Sequence, residues 1–129
     1  MLTVMTHSVR IVAFQFWIDH LTAWMDRRPA DMLASLAALS TLKIQEDPEA
    51  LFQEGWLLCD VGAYDEGLSF LQRAVAKGYC VAPTLSAHPQ FDALRGDPAF
   101  QSLLADAEEG QRQALAAFRE AGGTRLLGA

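Results

Sequence analysis

Apolar residues recur at helical spacing along most of the chain, in successive runs separated by glycine, proline or aspartate. The first run predicts a helix from Ser8 to about Met25, with apolar side chains on more than one side of it. A helix of that kind is buried on more than one face. The second run predicts a helix from about Ala30 to Ile44. No run predicts a β-strand, so the pattern favours a fold of packed helices.

Helix start signals recur at Asp47-Pro48 and at Asp97-Pro98, where a capping acid precedes a proline at the first helical position. A third helix is therefore predicted from Pro48 to about Val61, and a long closing helix is predicted from Pro98. Inside that closing helix, Gly110 marks a place where the helix can kink or break.

Glycines end the middle helices. Gly62 is predicted to stop the third helix and Gly78 the fourth, which opens at Asp65. Residues 81–96 carry prolines and predict short turns, with Phe91 and Leu94 inserted into the core.

Length and composition fit one compact domain over residues 1–129, with 51% hydrophobic and 20% charged residues. Alanine and leucine dominate over valine, isoleucine and threonine, which again favours helix. The sequence therefore predicts an all-α domain.

Charge narrows the classes of partner. A formal net charge of -6 disfavours a nucleic-acid partner, because phosphate contacts need clustered Lys and Arg. The apolar N-terminal stretch is interrupted by polar residues, so no membrane span or secretory signal is expected. Cys59 and Cys80 are interpreted as buried thiols in a reducing compartment, which favours a bacterial cytoplasmic protein.

Residues 48–81 resemble a tetratricopeptide repeat. In the stretch LFQEGWLLCDVGAYDEGLSFLQRAVAKGY, the family's small residue falls on Gly55, its turn glycine on Gly62 and its turn aromatic on Tyr64. The alanine that the family places at the crossing of its two helices is Gly67 here, which keeps the crossing but weakens the second helix. The resemblance implies two helices folded back on each other.

Weaker similarity extends to both sides of this repeat. A shift of 34 positions, near the period of such repeats, lays Trp17 on Leu51 and puts Arg28 at the turn glycine. The resemblance thus divides the single domain into a divergent repeat over 9–47, the clear repeat over 48–81, and a degenerate closing unit over 82–121 with a long capping helix.

The resemblance also implies a function, because such repeats bind extended peptides or partner helices in a groove lined by the first helix of each pair. Carried over to this chain, the groove is apolar with an acidic rim and suits a hydrophobic or basic segment. It lacks the lysines and asparagines that clamp a terminal carboxylate in some relatives. The lining residues implied by the resemblance are Glu49, Phe52, Trp56, Cys59 and Asp60 from the clear repeat and Gln15, Ile18, Thr22, Met25 and Asp26 from the divergent one.

Two other occupants of the groove remain as alternatives: the chain's own ends, or a second copy of the chain in a homo-oligomer. The expected function is a non-catalytic protein–protein interaction module without metal or cofactor. The alternative is a helical bundle or regulatory subunit that holds a small apolar ligand between its helices. A weaker third reading is an enzyme that uses His20 or His88 with acids such as Asp19 or Asp92.

Overall fold

The computed structural model describes residues 15–41 and 47–123, and all regular elements within these ranges are helical. The predicted all-α class is confirmed. The elements are α1 over residues 15–25, α2 (Pro29–Thr41), α3 (Pro48–Asp60), α4 (Tyr64–Ala76), α5 (Ala82–Ala87), a 3-10 segment (Pro89–Leu94) and α6 (Pro98–Glu120). The helix start predicted near Ser8 and the helix end predicted near Ile44 lie outside the described residues.

Aspartate caps set the beginnings of α3 and α6, as predicted. The carboxylate of Asp47 accepts hydrogen bonds from the backbone N–H groups of Glu49 and Ala50, at 2.8 and 3.2 Å. Asp97 accepts from the N–H of Ala99 at 2.8 Å. Each cap satisfies N–H groups that have no partner inside the helix, and proline follows where no N–H is needed.

Helices α3 and α4 form an antiparallel hairpin that turns at Gly62, whose φ of 86° lies in the left-handed region. The two helices cross where Gly55 meets Gly67. A Cβ added to Gly55 would lie 2.9 Å from the Gly67 carbonyl oxygen, and one added to Gly67 would lie 3.0 Å from the Gly55 carbonyl oxygen. The backbones therefore approach so closely that neither position has room for a side chain.

The turn between α1 and α2 repeats this geometry without a glycine. Arg27 takes the left-handed conformation, with a φ of 55°, and it lies 35 positions before Gly62. The Arg27 N–H donates to Trp24 at 3.0 Å, as the Gly62 N–H donates to Cys59 at 3.1 Å. At this turn the offset between the hairpins is thus 35, one more than the sequence comparison predicted.

Buried residues form two clusters that meet along α3. The larger cluster runs from α3 to α6 and includes Phe91 and Leu94, which confirms their predicted insertion into the core. The smaller one joins α1, α2 and α3 around Met32 and Leu58. Trp56 packs against both clusters. The N-terminal hairpin is therefore attached to the rest of the protein mainly through α3.

Helix α6 continues through Gly110, and the break that the sequence allows at this glycine does not occur. A Cβ at Gly110 would collide with the Cys80 side chain, so the glycine lets the turn after α4 pack on the helix. The first half of α6 is anchored by Phe100, Leu103 and Ala107, all buried. Residues 111–120 are exposed along their whole length.

Candidate functional site

A row of aromatic side chains connects α1, α3 and the residue that precedes the 3-10 segment. The ring centroids of Trp24 in α1 and Trp56 in α3 lie 6.0 Å apart. Trp56 in turn meets the His88 ring edge-on at 6.3 Å, just before the 3-10 segment. The two tryptophans are half-buried and His88 is exposed. We call Trp24, Trp56 and His88 the aromatic row.

An exposed apolar stripe lies on α1 beside this row. Ile18, Leu21 and Met25 share one face of the helix, because they are spaced by three and four residues. Met25 is 66% exposed, and the other two are exposed by about two-fifths, at 41% and 40%. Of the groove residues predicted on α1, Ile18 and Met25 are thus at the surface, and Thr22 is half-buried.

Two of the predicted groove residues on α3 belong to the core. Phe52 is buried against Tyr79 and Phe91, with ring centroids 5.3 and 6.3 Å away. Cys59 is 2% exposed. The closing segment packs on this part of α3, so Phe52 and Cys59 do not line an accessible surface.

The remaining predicted residues on α3 are accessible to different degrees. Glu49 is exposed at the beginning of the helix, and Trp56 is half-buried within the aromatic row. Asp60 is half-buried at the end of α3, where its carboxylate accepts a hydrogen bond from the Trp24 Nε1–H at 3.1 Å. Acidic side chains thus lie at both ends of α3, at Glu49 and at Asp60.

A buried polar pair that the sequence analysis did not predict connects α1, α2 and α3. His20 Nε2 lies 2.6 Å from Oε1 of Glu54, and both side chains have no exposed surface. His20 Nδ1 lies 2.9 Å from the Ser35 Oγ and 3.2 Å from the Met32 carbonyl oxygen. Both ring nitrogens are therefore engaged by protein atoms.

The residue pairs considered for an enzyme do not come together. Asp19 is exposed and its carboxylate accepts from the Gln15 amide at 2.9 Å, while His20 turns inward to Glu54. His88 Nδ1 lies 3.1 Å from the side-chain oxygen of Gln90, and Asp92 pairs with Arg95 at 2.8 Å. Each acid and each histidine thus has a different partner from the one the catalytic reading required.

The burial of Cys59 in the core has an effect on its thiol that can be measured. Burial raises its pKa from 9.0 to about 12, because a thiolate would lose its hydration there. At pH 8 we expect iodoacetamide to alkylate half-buried Cys80 in the folded protein and to leave Cys59 unmodified until denaturant is added. Peptide mass mapping checks this, and equal modification of the two cysteines in the folded protein would contradict it.

The same pKa shift predicts a loss of stability in alkali. Above pH 9 the unfolded chain loses the Cys59 proton while the folded chain keeps it, until the pH reaches about 12. The free energy of unfolding should therefore fall more steeply across this window in the wild type than in Cys59→Ala. Denaturant titrations at several pH values measure this, and parallel curves would contradict the prediction.

The chain is thus an all-α protein of helical hairpins that presents an aromatic row and an apolar stripe on its N-terminal side. Comparisons with protein-family models, with curated proteins and with solved structures found no match to it. In residues 15–41 and 47–123, no helix combines the length and the apolar character needed to cross a membrane. The same part of the chain holds no group of three His, Cys, Asp or Glu side chains that could bind a metal ion.

Proposed function

We propose that this protein is a non-catalytic interaction module that binds a segment of a partner protein across the aromatic row and the apolar stripe. One observation carries the proposal: the stripe of Ile18, Leu21 and Met25 stays exposed beside half-exposed aromatic rings. A cluster of large apolar side chains at a protein surface is commonly an interaction site. Tryptophan also contributes more binding energy than most residues at interfaces.

Several features support a tetratricopeptide-like architecture for this module. The crossing of α3 and α4 at Gly55 and Gly67 depends on the absence of side chains, as expected for the small positions of such a repeat. The turns at Arg27 and Gly62 have the same pattern of backbone hydrogen bonds, which supports two related hairpins in succession. In this reading the segments Ala82–Ala87 and Pro89–Leu94 are the reduced first helix of the closing unit.

A binding role rather than catalysis is supported by the state of His20. Its ring is buried and both nitrogens are used within the fold, so it would have to leave its partners to meet a substrate. The free thiols of Cys59 and Cys80 support a reducing compartment, and we place the protein in the cytoplasm.

A groove of about 910 Å³ between α4 and α6 is a candidate location for the alternative function, the binding of a small apolar ligand. Val75, Ala76 and Leu103 contribute apolar surface there. However, the groove is also lined by Asp106 and Glu109, whose carboxylates would lose hydration under an apolar ligand. We therefore favour a protein partner at the aromatic row.

Met25→Glu is the variant that tests this proposal. Because Met25 is 66% exposed, the change should leave the fold intact while it places a charge on the binding surface. We expect recovery of the specific partners from native cell extract to fall by about tenfold, as for a change near the centre of an interface. Affinity purification with quantitative mass spectrometry measures the recovery.

Leu115→Glu is the matched control, since Leu115 is 47% exposed on α6, outside the aromatic row and the stripe. It introduces the same charge and should leave the partner list unchanged. Circular dichroism confirms that both variants are folded. Equal recovery of partners with Met25→Glu and with the wild type would refute this binding surface.

A further inference from the structure

The end of α3 carries two acceptors beside the aromatic row, both belonging to Asp60. As the last residue of the helix, Asp60 has a carbonyl without a helical partner, at the negative end of the helix dipole. The turn N–H groups of Gly62 and Ala63 bond to Cys59 and Leu58 and leave the Asp60 carbonyl to other donors. We call the Asp60 carboxylate and carbonyl the Asp60 subsite.

The Asp60 carboxylate is held in place before any partner arrives. Trp24 Nε1–H donates to its Oδ2 at 3.1 Å, and only 24% of the side chain is exposed. The ring of Trp24 also lies against Trp56. A planar guanidinium fits such a place, because it can donate to a carboxylate and a carbonyl at once and stack on an aromatic face.

A guanidinium from the protein itself is already there. Nη2 of Arg27 donates to the Asp60 carbonyl at 2.6 Å, and its Nη1 lies 3.6 Å from the carboxylate. The Arg27 side chain is 62% exposed, and its backbone takes the left-handed conformation that arginine seldom adopts. An exposed ion pair contributes little stability, so another cation can displace Arg27 at small cost.

The surrounding charge points the same way. Within the described residues, α1 and α3 carry the carboxylates of Asp19, Glu49, Glu54 and Asp60 and contain no lysine or arginine. Apart from buried Glu54, these carboxylates reach the surface at least in part. These two helices thus add negative charge and no cation on this side of the fold, while Arg95 in the closing segment is held by the carbonyl oxygen of His88 at 3.0 Å and by Asp92 at 2.8 Å.

We infer that the Asp60 subsite binds an arginine side chain of the partner segment, and that Arg27 occupies the subsite in the free protein as an internal substitute. The inference rests on the proposed function, since the partner's arginine would arrive with the segment that covers the aromatic row. It adds the chemical class of that segment: apolar residues together with arginine.

The probe for this inference is the peptide acetyl-Leu-Arg-Leu-Arg-Leu-amide, with an analogue that carries citrulline, a neutral isostere, in place of arginine. Arg27→Gly removes the internal competitor and suits the left-handed backbone. If Arg27 fills the subsite about nine-tenths of the time, the variant binds the arginine peptide about tenfold more tightly than the wild type does. Calorimetry measures the Kd, and the NMR signal of the Trp24 indole N–H locates the binding.

Arg28→Gly is the matched control, because it removes the same charge one residue away. The Arg28 guanidinium contacts Asp26 and Asp31 rather than Asp60. We expect this variant to leave the Kd of the arginine peptide near the wild-type value. Adding Asp60→Asn to Arg27→Gly should abolish the gain in affinity, and the citrulline peptide should bind both glycine variants alike.

Equal Kd values for Arg27→Gly and Arg28→Gly would overturn the inference, since the effect would then be one of net charge alone. Failure of the arginine peptide to bind Arg27→Gly would overturn it as well. Binding of both peptides without any response to Arg27 removes the subsite but leaves the aromatic row as a binding surface. Conversely, partner recovery that is insensitive to Met25→Glu removes the proposed surface, whatever the peptides do.

Discussion

Glu54→Leu is expected to lower the free energy of unfolding by about 3–5 kcal/mol, because it removes one half of a fully buried polar pair. His20 would keep its contacts with Ser35 and the Met32 carbonyl. Its Nε2, however, would face the leucine side chain at a site where water cannot hydrate it. An imidazole nitrogen without a partner in the core keeps the full cost of its lost hydration. Urea denaturation followed by circular dichroism measures the change.

The double variant His20→Leu with Glu54→Leu should recover most of this loss. Removal of both partners leaves neither half of the pair buried without the other, and the Ser35 hydroxyl keeps a partner because it still reaches the carbonyl of Asp31 at 3.0 Å. Oε2 of Glu54 has no hydrogen-bond partner in the part of the chain that the structure describes, so its removal is also favourable. Glu108→Leu, on the exposed side of α6, is the control and should change stability by less than about 0.5 kcal/mol.

A double-mutant cycle then separates the pair from its surroundings. If His20→Leu and Glu54→Leu each lower the free energy of unfolding by no more than Glu108→Leu does, then His20 and Glu54 do not depend on each other. A double variant as unstable as Glu54→Leu alone would show that the loss arises from packing volume rather than from the polar contact.

The sequence contains a local sign of this pair, but not the pair itself. Glu54 stands between Leu51 and Leu58 at spacings of three and four, on the buried face of α3. His20 takes the same place on α1, three residues before buried Ala23. Period alone thus puts both side chains inward, whereas their meeting across 34 positions depends on how the two hairpins stack, which no local pattern contains.

The elements that could be predicted are those set by local physics. The caps at Asp47 and Asp97 and the left-handed turn at Gly62 depend only on neighbouring residues, and the structure shows all three. The left-handed residue of the first turn could not be identified in the same way. There an arginine adopts the conformation that a glycine adopts in the second hairpin, so the residue type gives no signal.

The candidate site was predictable only in part, for a similar reason. The resemblance to a tetratricopeptide repeat implied that Ile18 and Met25 line one surface, and the structure exposes both side chains on one face of α1. Whether that face stays open depends on distant segments of the chain. Phe52 is covered by Phe91, 39 positions later, inside a region where proline-rich turns obscure the pattern.

Gly55→Ala combined with Gly67→Ala is expected to lower the free energy of unfolding by about 3 kcal/mol, although alanine favours helix over glycine. The Cβ of residue 55 would lie 2.8 Å from Leu71 Cγ, and that of residue 67 would lie 2.6 Å from Cys59 Sγ. Each Cβ would also press on the facing carbonyl oxygen, so α3 and α4 must move apart. Thermal and urea denaturation measure the loss.

Gly96→Ala is the control, since a Cβ there would meet no atom within 4 Å. It should be neutral or slightly stabilising, because alanine restricts the unfolded chain more than glycine does. A further variant, Gly67→Ala with Cys59→Ala, removes the nearest side-chain atom but not the Gly55 carbonyl at 3.0 Å, and should recover only part of the stability.

These comparisons decide why Gly67 stands where the resemblance to a tetratricopeptide repeat leads one to expect alanine. If Cys59→Ala restored full stability to Gly67→Ala, the thiol alone would exclude a methyl group. Partial recovery would instead mean that the backbones of α3 and α4 are too close for any side chain. In that case the glycine at position 67 lowers the intrinsic helix propensity of α4 but allows a closer crossing of α3 and α4. The contacts made at this crossing then offset the stability that the second helix loses.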